Sequence, residues 1–239
     1  MKKIQLETGL GILLLLSVLL LATKGKPTGE MPAPIQTENV TELPEPLYTV
    51  VVDAGHGGVD PGKVGVNDAL EKDINLAIAK KLKECLEKEN IRVVMTREAD
   101  MGLYEETDSN KKRTDMAKRC RMIEEAGAHL TVSIHQNSFT AASVSGPQVF
   151  YYEGSKNGEE AARCLQEALN TWLEITEPRE MKANTSYYIL KKSKTTAVIA
   201  ECGFLSNPEE AEKLVSEEYQ QKIAEALAEG IVRFLEGMI

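Results

Sequence analysis

Apolar and polar positions alternate along this chain with two periods, and each switch between them marks an element. Residues 49–53 hold three β-branched residues in a row, Val50, Val51 and Val52, and predict a buried strand. Over 73–88 the apolar positions Ile74, Ala77, Ile78, Leu82, Cys85 and Leu86 recur at threes and fours, which predicts an amphipathic helix. The same reading gives a strand at 91–96, a helix at 111–126 on Met116, Ala117, Cys120 and Ile123, and a strand at 129–134. A strand at 148–152 and a helix at 159–172 follow, then two short strands at 187–190 and 197–200. Pro208 opens a helical turn, and 219–235 is the closing helix. Strands separated by helices of this length imply a largely parallel sheet with helices on both faces. The short connection from 187 to 197 predicts an irregular pair. The expectation is therefore a single α/β domain with a mostly parallel, mixed sheet of about six strands.

The N-terminal part has a different pattern. Lys2 and Lys3 precede an apolar run of fourteen residues over 9–22. That is short of the roughly 20 residues of a spanning helix and fits a signal-peptide core. Residues 1–23 are read as a signal peptide or a membrane anchor, and a core helix is the remaining alternative. Residues 24–47 carry five of the nine prolines and no periodicity, as a Pro-rich linker would. The domain proper is then 48–239, and it is expected outside the cytoplasm, held near a membrane by its N-terminal segment.

Composition narrows the partners. The net charge is −9 and the pI near 5.1, which argues against a nucleic acid, since phosphate backbones call for a basic face. The four cysteines, Cys85, Cys120, Cys164 and Cys202, form no C-x-x-C pair. That excludes a zinc ribbon and a thioredoxin-like site. The first three lie in predicted helices and are read as small apolar side chains.

Three apolar strands each run into a residue that can bind metal or move a proton: His56, His135 and Glu201. In open α/β sheets, sites form at strand ends. His56 lies among Gly55, Gly57 and Gly58, and Glu71 stands at a helix start fifteen residues on. Two histidines and a carboxylate suit a hydrolytic zinc that keeps one position for water. Each residue also has a plainer reading. A strand-end histidine is often structural, and Glu71 could simply face the positive end of its helix. Glu201 closes an apolar strand, where an unpaired charge is costly. It is either a salt-bridge partner for a lysine of 191–194 or a general base beside a metal. His129 lies six residues before His135, about 20 Å along a strand, too far to share a metal. Asn137 is a candidate substrate contact or a plain turn residue.

These segments together resemble the zinc-dependent N-acetylmuramoyl-L-alanine amidases of the type-3 class. The resemblance runs from 49 to about 236, through VVVDAGHGGVDPG (50–62), EKDINLAIAKKL (71–82), VVMTR (93–97), VSIHQNS (132–138) and AECGFLSNPEE (200–210). Members often carry proline where this chain has Ala54. The resemblance implies zinc on His56, Glu71 and His135, with Glu201 as the catalytic base. It implies hydrolysis of the amide between N-acetylmuramic acid and the L-alanine of the peptidoglycan stem. A narrower resemblance, to the spore-cortex amidases of endospore-forming bacteria, lies in QVFYYEGS (148–155), KANTSYYILKK (182–192) and ECGFLSN (201–207). It implies work in the cortex toward muramic δ-lactam, with the enzyme in the forespore intermembrane space. The alternatives are a general vegetative wall amidase, a zinc peptidase or sugar deacetylase, and a non-catalytic wall-binding homologue. The need for an activating partner protein is left open.

Overall fold

A computed structural model of the chain describes residues 45–238. The expected signal peptide or anchor at 1–23 and most of the expected linker lie outside the described residues. Six strands and six helices follow one another: β1 (Thr49–Ala54), α1 (Glu71–Lys88), β2 (Arg92–Met95), α2 (Lys111–Glu125), β3 (Leu130–Asn137), β4 (Gln148–Tyr152), α3 (Lys156–Trp172), β5 (Lys182–Asn184), α4 (Tyr188–Lys192), β6 (Ala197–Phe204), α5 (Pro208–Leu214) and α6 (Glu217–Glu236). They build one mixed sheet in the order β2-β1-β3-β6-β4-β5. The β2-β1-β3-β6 portion is parallel; β4 runs antiparallel to β6 and parallel to β5.

Strand alternation sorts the side chains. Val50, Val52, Leu130, Val132, Ile134, Val198 and Ala200 face one side, where α1, α3 and α6 cover them with Ile78, Leu82, Leu165, Leu169, Ile223 and Leu227. Most of these are fully buried, and each buried Leu or Ile contributes roughly 1.5–3 kcal/mol. Val51, Phe150, Ala197 and Ile199 face the other side, under Ile123 of α2 and Ile189 and Leu190 of α4. This second face is the one from which Asp53, Ser133, His135 and Glu201 project, because they continue the same alternation toward the strand ends.

The predicted strand at 187–190 is instead the helix α4. The side chain of Asn184 decides this locally: its Oδ1 accepts from the backbone N–H of Ser186 at 2.7 Å and of Tyr187 at 2.8 Å. Such a turn leads the chain away from an extended path. The edge strand lies earlier, at Lys182–Asn184, in a polar stretch without an alternation signal. The sheet is mixed as expected, but the reversal comes from β4 against β6. Cys164 and Cys202 are buried, Cys85 and Cys120 only partly, and all four are free thiols.

Candidate active site

The site is built first on how β1 ends. Arg97 and Arg119, both almost wholly buried, gather the carbonyls that follow it. Arg119 donates to Ala54 O at 2.7 Å and to His56 O at 2.6 Å, and Arg97 donates to Ala54 O at 2.9 Å and Gly55 O at 3.0 Å. His56 is thereby held at φ 62°, a left-handed conformation uncommon outside glycine. Arg119 is balanced by Asp53 at 2.7 Å and Asp115 at 2.6 Å. Asp53 also accepts from Thr96 at 2.6 Å and Ser133 at 2.5 Å. Burial pushes the Asp53 carboxyl up, but Arg119 and the two hydroxyls outweigh it and hold the group at about 2.

The turn beyond is tied from the segment after β2. Asp100 accepts from Gly58 N–H at 2.8 Å, and the Tyr104 hydroxyl accepts from Val59 N–H at 2.9 Å. Inside the turn, His56 Nδ1 meets Asp60 Oδ2 at 3.0 Å, which leaves Nε2 facing Glu71 Oε1 at 3.2 Å. Glu71 opens α1. Its Oε1 also accepts from Gln136 N–H at 3.1 Å and meets His135 Nδ1 at 2.9 Å, and its Oε2 accepts from Lys63 N–H at 2.7 Å. Burial would raise Glu71, yet bonds to His135 and His56 keep it far below the usual carboxylate range.

Two glycines leave room for this convergence. A methyl group on Gly55 would lie 2.3 Å from the His135 ring, and one on Gly62, at φ 69°, would lie 2.5 Å from Glu71 Oε2. The ligand atoms of His56, Glu71 and His135 all fall within 4.8 Å of one another. Two imidazole nitrogens and one carboxylate oxygen are a donor set that suits zinc with an open position.

Glu201 sits directly across from His135 in the β3–β6 ladder. It is 8% exposed, and its Oε2 has no hydrogen-bond partner among the described residues. Burial, aided by the charge of Glu71, raises its carboxyl to about 7 against the pull of His135 and His56. The salt-bridge reading is not realised: Lys194 pairs with Glu124, and Lys191 and Lys192 are exposed. An unpartnered buried carboxylate beside a metal-suited cluster is the second sign that the residues fit such an ion. All four side chains open onto one cavity of about 570 Å³, which Asn137, Tyr187 and Lys112 also line.

Asn137 closes β3: its backbone carbonyl accepts from Leu205 N–H at 2.8 Å, continuing the ladder to β6, and its Oδ1 accepts from Ser138 N–H at 2.8 Å. His129 lies at the other end of β3, where its Nδ1 accepts from Thr49 N–H at 3.1 Å and its ring meets Tyr48 edge-on. Sequence reasoning missed Arg119, Asp53, Asp60 and Tyr187. Arg119 had a signal: it falls between Met116 and Ile123 on the inward stripe of its helix, where a charge requires a buried partner.

The profile of the N-acetylmuramoyl-L-alanine amidase family matches residues 50–233. The germination-specific N-acetylmuramoyl-L-alanine amidase of Bacillus subtilis (strain 168) is 37% identical over 195 residues, 80% of this chain and 81% of its own. Among solved structures, the CwlD amidase of Clostridioides difficile, in complex with the GerS lipoprotein, is similar at 39% identity and a TM-score of 0.77. That match covers 80% of this chain and 99% of that one. The N-acetylmuramoyl-L-alanine amidase AmiC2 of Nostoc punctiforme is similar at 32% identity and a TM-score of 0.70, covering 79% and 97%.

Proposed function

Because the chain belongs to the N-acetylmuramoyl-L-alanine amidase family, and so is a peptidoglycan amidase, we propose that its metal is a zinc ion on His56, Glu71 and His135 and that Glu201 is its general base. The observation that carries this is the pairing of the three-residue cluster with the unpartnered Glu201 carboxylate across the ladder from His135. Zinc held there would supply a Lewis acid that makes water more acidic and the amide carbonyl more electrophilic. The chain's own groups handle the protons. Glu201 takes one from the water whose oxygen bonds to the lactyl carbonyl carbon. The C–N bond then breaks, and Glu201 returns the proton to the departing L-alanine nitrogen. A carboxylate in hydrogen-bond reach of the water can both take and return a proton. Asn137, in the cavity wall, is assigned a contact with the substrate.

We place the reaction in spore cortex, toward muramic δ-lactam. The resemblance of 148–155 and 182–192 to cortex amidases supports this, as does the germination-specific relative in Bacillus subtilis. The complex of the Clostridioides difficile relative with a lipoprotein supports a protein partner for this chain too. We assign 1–23 to export or anchoring and 24–47 to a spacer, with the domain working outside the cytoplasm. Among the described residues no helix is long and apolar enough to cross a membrane.

Muropeptide analysis of purified cortex treated with the enzyme tests the chemistry. New L-alanine amino termini are expected; cleavage within the stem, or free acetate, would overturn it. Deletion of the gene in its host should leave spores without muramic δ-lactam. Normal δ-lactam with chained vegetative cells would point to a vegetative wall amidase. Metal analysis tests the ligands: His56→Ala and His135→Ala should each be purified without zinc, because two ligands hold the ion poorly. Full zinc occupancy in both would break the assignment.

A further inference from the structure

Among the polar groups of the cavity that have no role in this scheme is the hydroxyl of Tyr187. Tyr187 lines the same wall as His135 and Glu201. It precedes α4, which packs on β4 and β6 over the face that carries the site. Two contacts fix it. Its ring meets Phe150 edge to face, with centroids 5.4 Å apart and planes at 89°. Its backbone N–H donates to Asn184 Oδ1 at 2.8 Å. Phe150 is opposite Ile199 in the β4–β6 ladder, two residues before Glu201, so the ring is braced beside the base. The side chain is half-buried, and its hydroxyl has no hydrogen-bond partner among the described residues. Burial and the charges of Glu201 and Glu71 raise the phenol above its ordinary range, so its proton stays in place.

The cavity carries the carboxylates of Asp60, Glu71 and Glu201, and its exposed Lys112 is paired with Asp60 at 3.6 Å. Glu201 acts as an acceptor when it takes the water proton, and Glu71 holds a metal. Amide hydrolysis moves negative charge onto the carbonyl oxygen as water adds, and a fixed donor aimed there lowers the barrier without reorganising. We propose that the Tyr187 hydroxyl donates a hydrogen bond to the lactyl carbonyl oxygen of the substrate as that charge grows. The phenol keeps its proton throughout, and the bonds made and broken remain those of the hydrolysis. This role rests on the amidase reading.

Tyr187→Phe isolates the hydroxyl, because the ring and its contact with Phe150 remain. Against muropeptides, kcat should fall about 10²- to 10³-fold, as for loss of one donor to a developing oxyanion. KM should stay within about twofold, since the contact forms mainly in the transition state. Zinc content and thermal midpoint, measured on the same preparation, should match the wild type. A kcat/KM within about twofold of wild type overturns the role. So does a raised KM at unchanged kcat, which would mark a ground-state contact. A wild-type enzyme that releases no new L-alanine amino termini would instead overturn the amidase reading, and the role with it.

Discussion

Glu201→Gln is expected to lower turnover by about 10²- to 10⁴-fold while leaving the fold and the bound metal intact. The amide has nearly the shape of the carboxylate, but it cannot accept the water proton or return it to the leaving nitrogen. Glu201 is not among the three clustered ligand residues, so zinc content should not change. The same variant should be more stable than wild type when the metal is stripped from both. The carboxyl is raised from an ordinary 4.5 to about 7, so the fold disfavours its charged form. As pH rises from about 4.5 to about 7 the unfolded chain loses its proton first, and wild-type stability falls. Glutamine escapes that loss. The gain should be absent at pH 4, complete above about pH 7, and at most about 3 kcal/mol. Denaturant titrations at the two pH values measure it. Equal stability of the two proteins at pH 8 would mean that the carboxylate is better solvated than its burial implies.

The second large effect lies one layer behind the metal ligands. Arg119→Met should destabilise the protein by about 3–5 kcal/mol, because it strands the buried Asp53 charge. It should also weaken zinc binding, because Arg119 holds the carbonyl of His56 in its left-handed turn. Adding Asp53→Asn should recover part of the stability and little of the zinc affinity. The two readouts therefore separate charge balance from loop geometry. Wild-type protein should itself lose the Asp53 contribution in acid. That carboxyl is held at about 2 in the fold against an ordinary 3.8, so its stabilisation is present above about pH 4 and drains away toward pH 2. A loss below about 1 kcal/mol in Arg119→Met would show that Asp53 is not left as a stranded buried charge.

These two cases mark what could be read from the sequence. His56, Glu71, His135 and Glu201 were legible because each interrupts an apolar pattern, at a strand end or a helix start, with a residue of metal or proton chemistry. The long helices and β1 to β4 were legible from period alone. The 187–190 segment was not, because two tyrosines, an isoleucine and a leucine fit a short strand or a helical turn equally well. The decision lay in a side-chain bond from Asn184. Tyr187 was hidden for the same reason, since its place in the cavity depends on that turn. Arg119 was half legible: its position on the inward face was readable, but its partner Asp53 lies 66 residues away.

The strand order also bears on when activity can appear. β6 lies between β3 and β4 in space but follows both in the chain. Until it inserts, the β4–β5 pair has no link to the rest of the sheet, and β3 is paired on its β1 side alone. Closing that gap joins Thr131 to Ala197 across 66 residues, a late and entropically costly step. The three proposed metal ligands are complete by residue 135, whereas the proposed proton acceptor, Glu201, arrives only with this last central strand. A partly folded chain can therefore gather the proposed ligands while still lacking the proposed base. With the roles proposed above, hydrolysis begins only when the sheet has closed around β6, so the folding order itself keeps an incomplete chain from acting on its substrate.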